Sequence, residues 1–325
     1  MKIAITGAAG FVARHLAKQL LKDGHEVAGL IRQECQQAPL RSMGVVTHLG
    51  DLRDPAAVRK AVEGVEVIYH LARTRPKSNG SKRTFVDNNV TGTENLIRVA
   101  LEKDVRHLVV SSSTDVFGRS PVLPIQSDTA CRPTAFHDVT MLRREDLVRD
   151  QAREGRISAI VARCSMIAGP GAVHLTNLFN RIVAGRYRLF GPDDVYFQVV
   201  DVEDVVQGLR QCGLQRFSAG DCYILSGKDA HRLSAFARMV AEEGGGHWRP
   251  RRYPLAPFEL AGTALKALYA PFGREPSLAR QIESFKRQRW YDISKSQRDL
   301  GYAPRFTQRE SIRRTLAWLR DAGRL

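Results

Sequence analysis

Short apolar runs alternate with amphipathic segments through the first half of the chain. The runs are rich in Val, Ile and Leu and recur about every 20 to 30 residues, as strands buried on both faces do. They predict strands over 2–5, 26–31, 45–49, 65–70, 108–112 and 157–163. Helical spacing with local start and stop signals predicts helices over 11–22, 54–64, 88–102 and 136–153. This alternation is typical of an α/β fold with a Rossmann-type doubly wound parallel sheet.

The regular alternation ends after Gly169-Pro170-Gly171. Strand-like pieces follow at 195–200 and 223–225, and helical patterns follow at 259–269 and 309–319. We therefore predict two lobes with more than one chain crossing between them. The larger lobe would hold residues 1–165 with returning segments near 195–225 and 290–300. A smaller C-terminal α/β lobe would hold 166–194 and 226–325.

The segment from Thr6 to Ala13 joins the first predicted strand to the first predicted helix. Glycines at 7 and 10 let such a turn pass close to a pyrophosphate, whose charge rests on free N–H groups at the helix N-terminus. The context therefore predicts a dinucleotide site, with a plain tight turn as the alternative. The predicted contact residues in this turn are Gly7, Ala9, Gly10, Phe11 and Val12.

The end of the second strand bears on which dinucleotide binds. An acid there would hydrogen-bond an unmodified adenosine ribose, but the chain reads Leu30-Ile31-Arg32. A guanidinium can pair bidentately with the extra phosphate of NADP. We therefore predict NADP as the cofactor and Arg32 as one of its contacts, with NAD as the alternative. On the other interpretation, Arg32 is a solvated surface residue.

The net charge of the chain indicates which classes of partner it could bind. Fifty Lys and Arg stand against 34 Asp and Glu, a formal net charge of +16 that attracts anions. Arg-rich stretches at 249–252 and 280–289 suggest nucleic acid or a membrane surface, but no nucleic-acid module is present, so no specific nucleic-acid partner is expected. There is neither a membrane-length apolar run nor a signal-peptide pattern, and the five cysteines form no CxxC pair. We expect a cytoplasmic protein with reduced thiols.

Eight short motifs occur in an order and spacing that together are specific. They are Thr6-Gly7-Ala8-Ala9-Gly10-Phe11, Gly50-Asp51-Leu52, His70-Leu71-Ala72, Asn89-Val90-Thr91-Gly92-Thr93, Ser111-Ser112-Ser113-Thr114-Asp115-Val116-Phe117-Gly118, Arg163 through Gly169-Pro170-Gly171, Val200-Asp201-Val202-Glu203-Asp204-Val205, and Asp292-Ile293-Ser294-Lys295 with Leu300-Gly301-Tyr302. On these motifs the chain resembles, nearly end to end, the extended short-chain dehydrogenase/reductase superfamily, or NAD-dependent epimerase/dehydratase family. That superfamily includes nucleotide-sugar epimerases and dehydratases, dihydroflavonol reductases and 3β-hydroxysteroid dehydrogenases.

The resemblance implies roles for the matching positions. In the NAD(P)-binding lobe, two residues would flank the adenine and two would line the path of the cofactor, whereas Ser111 and Ser112 would end the fifth strand beneath the nicotinamide. Ser113 falls at the position of the catalytic serine or threonine. The adenine pair and the path pair are Asp51 with Leu52 and Leu71 with Ala72.

The resemblance also implies partners. Many relatives form homodimers through the helices near 88–102 and 136–153, so a homodimer is expected. Arg181, Arg186 and Arg188 lie where relatives meet the phosphates of nucleotide-linked sugars, which fits an anionic small-molecule substrate. The stretch 250–289 resembles instead the branch that acts on apolar, steroid-like or flavonoid-like substrates, so the substrate stays open.

The segment that carries the family's chemistry departs from the pattern. The family has Tyr-x-x-x-Lys, with a Pro four residues before the Tyr and a Glu four residues after the Lys. Pro133 and Glu145 keep this register, which puts His137 at the tyrosine position and Met141 at the lysine position. Met141, a cofactor contact by position, carries no charge with which to lower a neighbouring pKa or hold ribose hydroxyls. An imidazole can still move a proton near neutral pH.

Two functions therefore stay open. The chain is either an NAD(P)-dependent epimerase-, dehydratase- or reductase-like enzyme that uses Ser113 and His137, or a non-catalytic or redox-neutral NADP(H)-binding or scaffold protein. Standard hydride transfer is in doubt because the family's Tyr and Lys are both replaced. The histidines have no metal-ligand spacing, so no metal is expected, and His70 is interpreted as structural.

Overall fold

A parallel sheet of seven strands lies at the centre of the molecule. The computed structural model describes residues 1–74, 81–191, 194–215, 217–249, 251–272, 276, 282–283 and 285–325. In this part of the chain the strands are β1 (Lys2–Thr6), β2 (Glu26–Ile31), β3 (Val46–Leu49), β4 (Val67–His70), β5 (His107–Ser113), β6 (Ser158–Cys164), β7 (Met166–Ala168), β8 (Leu189–Phe190), β9 (Val199–Asp201), β10 (Ala219–Leu225) and β11 (Arg252–Tyr253).

The strand order of the central sheet is β10-β6-β5-β4-β1-β2-β3, and every neighbouring pair is parallel. The chain builds outward from β1 to β3 and then returns to place β4 on the other side of β1. That reversal is the topological switch point at which open α/β sheets bind ligands. The predicted Rossmann-type fold is thereby confirmed.

Helices cover both faces of this sheet. In the described residues they are α1 (Phe11–Lys22), α2 (Gln37–Arg41), α3 (Pro55–Ala61), α4 (Lys82–Val86), α5 (Gly92–Glu102), α6 (Phe136–Arg153), α7 (Thr176–Val183), α8 (Val202–Leu214), α9 (Leu233–Gly244), α10 (Ala256–Tyr269), α11 (Ser294–Leu300) and α12 (Gln308–Asp321). Leu16 of α1 and Leu209 of α8 are buried on one face of the sheet, and Leu96 of α5 and Val148 of α6 on the other. A doubly wound sheet has this layered arrangement.

A further apolar cluster lies outside the central sheet. It joins Phe179 of α7, Phe236 of α9 and Leu316 of α12 to residues of β7, β8 and β9. These short strands form two parallel pairs, β7 with β9 and β8 with β11. The lobe boundaries expected at residue 165 and beyond stay a prediction.

Three of the predicted elements differ from the structure. The strand expected at 195–200 is confined to β9, and Tyr196 and Phe197 form only isolated bridges. The strand expected at 223–225 is the longer β10, which completes the central sheet beside β6. The helix expected from 88 begins at Lys82 and passes through one π-helical turn, Asp87–Thr91, before α5.

Candidate active site

A cleft of about 750 Å³ opens at the carboxyl ends of the central strands. The turn after β1, the ends of β2 to β6, the start of α6 and part of the 285–325 segment all contribute to it. Every predicted site residue except Met141 lines this cleft. They are Gly7, Ala9, Gly10, Phe11, Val12, Arg32, Asp51, Leu52, Leu71, Ala72, Ser111, Ser112, Ser113 and His137.

The glycine turn leaves the N-terminus of α1 open to the cleft. Gly7 has φ +68°, and a Cβ there would come within 2.8 Å of the Ala72 Cα, so only glycine fits without a shift. Gly10 is the N-cap of α1, which has neither a capping side chain nor an acidic residue in its first turn. No carboxylate of the helix therefore competes for the N–H groups that would meet a pyrophosphate.

At the end of the cleft near β2 and β3, two arginines, Arg32 and Arg53, lie near one carboxylate, that of Asp51. Ile31 ends β2 buried, and Arg32 follows it exposed on the cleft wall. Asp51 accepts two hydrogen bonds from Arg53, with Nε and Nη2 each 3.0 Å from a carboxylate oxygen. These hydrogen bonds lower the pKa of Asp51 below its usual range. Asp51 is therefore engaged by Arg53 rather than by Arg32.

A buried hydrogen-bonded chain fixes the loop after β4. The Thr6 hydroxyl accepts from the Ala72 N–H (3.2 Å) and lies 2.7 Å from His70 Nδ1. His70 Nε2 lies 2.9 Å from the hydroxyl of Thr93, which donates to the Asn89 carbonyl. These partners select the neutral tautomer with the proton on Nε2. Burial lowers the pKa of His70 well below its ordinary value, which fits the structural role expected for it.

Ser113 and His137 meet the cleft from β5 and α6. The Ser113 hydroxyl accepts from the Asp115 N–H (3.2 Å), which leaves its own proton to donate. His137 is 6% exposed, and its ring packs edge-on against Phe85. His137 Nδ1 lies 3.1 Å from Asp138 Oδ1, whereas Nε2 has no hydrogen-bond partner among the residues that the structure describes. A buried imidazole nitrogen without a partner in a cleft is available to a ligand.

A charged cluster completes this end of the cleft. Arg287 Nη1 lies 2.5 Å from Asp115 Oδ1, and Arg287 Nη2 lies 3.0 Å from Asp138 Oδ2. Arg289 Nε lies 3.9 Å from Asp115 Oδ1. Burial raises the pKa of Asp115, but the two guanidinium groups outweigh it and hold that pKa at about 2. Asp115 is therefore ionised at neutral pH, and Arg287 holds Asp138 beside His137.

The sequence did not predict this cluster. The sequence suggests nucleic acid or a membrane surface as the partner of the Arg-rich stretch 280–289. Its residues 280, 281 and 284 lie outside the described residues, and Arg287 and Arg289 are only 5% and 6% exposed in the cleft. The two arginines contact Asp115 because the chain after α10 returns to the turn that follows β5. No local sequence pattern signals this contact.

Met141 differs from the other predicted site residues. It lies one turn after His137 on α6, is fully buried and is absent from the described cleft lining. Glu145, one turn further, accepts hydrogen bonds from Arg163 on β6 (2.7 and 3.1 Å) and from Ser112. This buried pair fixes α6 on the sheet in the register that sets His137 at the cleft.

Other expectations concern the surface. Arg181 and Arg186 are exposed, and neither they nor Arg188 occur among the described residues that line the cleft. The geometry therefore gives no support to their contact with the phosphates of a nucleotide-linked sugar. In the described part of the chain, no group of His, Cys, Asp and Glu could hold a metal ion, and no helix is long and apolar enough to span a membrane.

Comparisons with known proteins agree with this architecture. Residues 3–220 match the model of the NAD dependent epimerase/dehydratase family. The chain is 29% identical to sterol demethylase protein B of Methylococcus capsulatus, covering 99% of each chain. It is 28% identical to 2-alkyl-3-oxoalkanoate reductase of Stenotrophomonas maltophilia, covering 98% of this chain and 99% of that one.

Solved structures share the fold across the whole chain. UDP-glucuronic acid 4-epimerase from Bacillus cereus, crystallised with NAD, superposes with a TM-score of 0.78 at 19% identity and covers 99% of each chain. At that identity the likeness concerns the fold alone. The match over 3–220, together with the open helix N-terminus at the switch point, shows that the chain belongs to the NAD-dependent epimerase/dehydratase family.

Proposed function

We propose that this protein is an NADP-preferring oxidoreductase that reduces a carbonyl group of a small molecule, with His137 as the proton donor. The observation that carries the proposal is that His137 Nε2, in the same cleft as Ser113, has no hydrogen-bond partner in the described part of the chain. In the described residues neither a tyrosine nor a lysine lines that cleft, so the acid must come from another residue type.

The cleft suits a nicotinamide dinucleotide along its length. The N-terminus of α1 would hold the pyrophosphate, and Arg32 would pair with the 2′-phosphate. Leu71, Ala72 and Ser111 would line the path towards the nicotinamide. When bound, NADPH would supply a hydride to the substrate carbonyl carbon. NAD is the alternative cofactor, and the family description names NAD.

Ser113 and His137 would handle the carbonyl oxygen. The Ser113 hydroxyl, which accepts from the Asp115 N–H, would donate to that oxygen and polarise the carbonyl. Protonated His137 would give its Nε2 proton to the oxygen as negative charge develops. Asp138 would accept from Nδ1–H and hold the ring in position. The product is an alcohol, and the neutral imidazole regains its proton from solvent.

The relatives favour a ketone as the substrate. The Stenotrophomonas relative is a 2-alkyl-3-oxoalkanoate reductase, and a Stigmatella aurantiaca relative is a ketoreductase. A nucleotide-linked sugar is less well supported, since Arg181, Arg186 and Arg188 lie outside the described cleft lining.

A homodimer through α5 and α6 is also proposed, where Ile97, Leu101 and Leu147 line a surface groove.

The test of this function replaces His137 by Gln, which keeps hydrogen-bonding groups but cannot transfer a proton. NADPH oxidation is followed with a panel of 3-oxo esters and oxosteroids, and NADPH binding is followed by fluorescence. We expect His137→Gln to lower kcat by about 100-fold or more, with the Kd for NADPH unchanged. His48→Gln, on β3 outside the cleft lining, is the matched control.

An unchanged kcat in His137→Gln would remove His137 from the mechanism. NADPH binding with no turnover of any ketone would favour the non-catalytic, cofactor-binding alternative. Binding of neither NADPH nor NADH would contradict the cofactor assignment itself.

The choice of cofactor is tested at Arg32. We expect the wild type to bind NADPH more tightly than NADH, and Arg32→Ala to lose about tenfold in NADPH affinity while NADH affinity stays the same. Arg106→Ala is the control, because Arg106 is exposed and directly precedes β5, at the amino ends of the strands and away from the cleft. Equal losses for both cofactors would show that Arg32 does not contact the 2′-phosphate.

A further inference from the structure

Helix α10 and the turn after it present an apolar face to solvent. Leu260, Leu268 and Phe272 are 76%, 63% and 72% exposed. Leu260, Ala264 and Leu268 follow one another at four-residue spacing, so they lie along one side of the helix. We call Leu260, Ala264, Leu268 and Phe272 the apolar stripe. Exposed apolar patches of this kind mark interaction surfaces.

The chemistry around the apolar stripe is cationic. Between residues 247 and 290 the sequence has nine Lys and Arg against three Glu, and two of these cations, Arg287 and Arg289, are buried in the cleft. Glu259 is already paired with Lys286, and Glu283 with Arg119 (2.7 Å) and Lys266 (3.9 Å). Arg249 and Arg251, just before α10, are exposed. The complement of this surface is therefore apolar in the middle and anionic at its rim.

We propose that the apolar stripe docks this protein onto an anionic lipid surface. A helix with an apolar face and basic flanks lies in the plane of the membrane interface, where the apolar side chains enter the boundary of the acyl chains. Anionic headgroups then meet the surrounding Lys and Arg side chains. A second copy of the chain suits the stripe less well, because two-fold pairing would bring two basic segments together.

The position of α10 connects the stripe to the cleft. The Phe258 ring of α10 packs on Phe190 with centroids 4.9 Å apart, and Phe190 packs on Phe285 at 5.0 Å. Two residues after Phe285, Arg287 lines the cleft. A docked molecule would therefore hold the substrate end of its cleft close to the lipid. Uptake of an apolar ketone from the bilayer rests on the proposed function, whereas docking itself does not.

The experiment is sedimentation with vesicles of phosphatidylcholine alone and of phosphatidylcholine mixed with phosphatidylglycerol. We expect binding to the mixed vesicles only, and we expect Leu260→Glu with Leu268→Glu to lower the partition coefficient about tenfold or more. Leu214→Glu with Phe217→Glu is the matched control, because these side chains are 58% and 67% exposed and the change of charge is the same. Circular dichroism checks that each variant is folded.

Absence of binding to the anionic vesicles would overturn the proposal. So would binding that the stripe variant leaves intact, since net charge alone would then account for it. An equal loss in the control pair would lead to the same conclusion. If sedimentation velocity shows a dimer that the stripe variant dissociates, the stripe covers a second copy instead, and lipid docking is rejected.

Discussion

The group at position 137 determines which acid the cleft can offer. His137 is tied through Nδ1 to Asp138, and Asp138 is tied to Arg287. Asp138 Oδ1 faces the ring while Oδ2 is paired with the guanidinium, so Asp138 can orient the imidazole and remain fixed by Arg287. On the proposed mechanism, the acid is an imidazole and does not need the lysine that a tyrosine would need.

Some residues of the site could be predicted and others could not. Gly7, Gly10 and Ser113 belong to contiguous motifs whose local geometry follows from neighbouring residues. The prediction of His137 depended on register, with Pro133 and Glu145 as fixed points on either side. No motif or register position identifies Arg287, because its partners Asp115 and Asp138 are far away in sequence. Only the tertiary return of the chain identifies its role.

The Arg287 cluster gives a prediction for stability against pH. Arg287 and Arg289 hold the pKa of Asp115 at about 2, below that of an unfolded aspartate, so ionised Asp115 adds stability above about pH 4 and loses it as pH falls towards 2. Arg287→Gln should cost about 3 kcal/mol at pH 7, because it leaves buried Asp138 without its cation and Asp115 with only the more distant Arg289. That difference from the wild type should shrink below about pH 4, as Asp115 becomes protonated in the variant.

Urea unfolding of both proteins at neutral and acidic pH measures this difference. Arg53→Gln is the control, since it removes the partner of Asp51 at an exposed site, and it should cost less than about 1 kcal/mol. If Arg287→Gln lowers the free energy of unfolding by the same amount at both pH values, lost packing rather than lost charge pairing explains the effect.

At the scale of elements, predictability followed the strength of the local pattern. β4 and β6 are buried throughout, so their apolar runs stand out in the sequence. β10 begins with exposed Ala219 and Asp221 and a register shift between them, which left only its apolar end visible. Tertiary pairing with β6 extends this strand beyond what its own residues indicate.

The helix before the active site shows another limit of local patterns. The π-helical turn at Asp87–Thr91 interrupts the spacing between α4 and α5, so the apolar periodicity indicated only the second part. In this turn the Asn89 side chain accepts from the Thr74 N–H (2.9 Å) and donates to Thr140 on α6 (3.0 Å). The irregular turn therefore joins the loop after β4 to the helix that carries His137.

At the scale of the whole molecule, charge is unbalanced. If every one of the 34 acids were paired, 16 cations would remain, and their mutual repulsion destabilises the compact state. Salt screens this repulsion, and it also screens attraction to anionic lipid. Added salt should therefore stabilise the fold while weakening the proposed vesicle binding.

Thermal unfolding in rising sodium chloride measures the first of these effects. At pH 7 we expect Tm to rise by about 1–3 °C between low salt and half-molar salt, since small screening energies shift Tm little in a chain of this size. The same series near pH 10 is the control, because the net charge is then much smaller and the rise should largely vanish. A fall in Tm at pH 7 would show that attractive pairs such as Arg309 with Glu242 and Glu243 outweigh the excess cations. Vesicle binding that strengthens in the same salt series would mean that apolar contact alone holds the protein on the lipid.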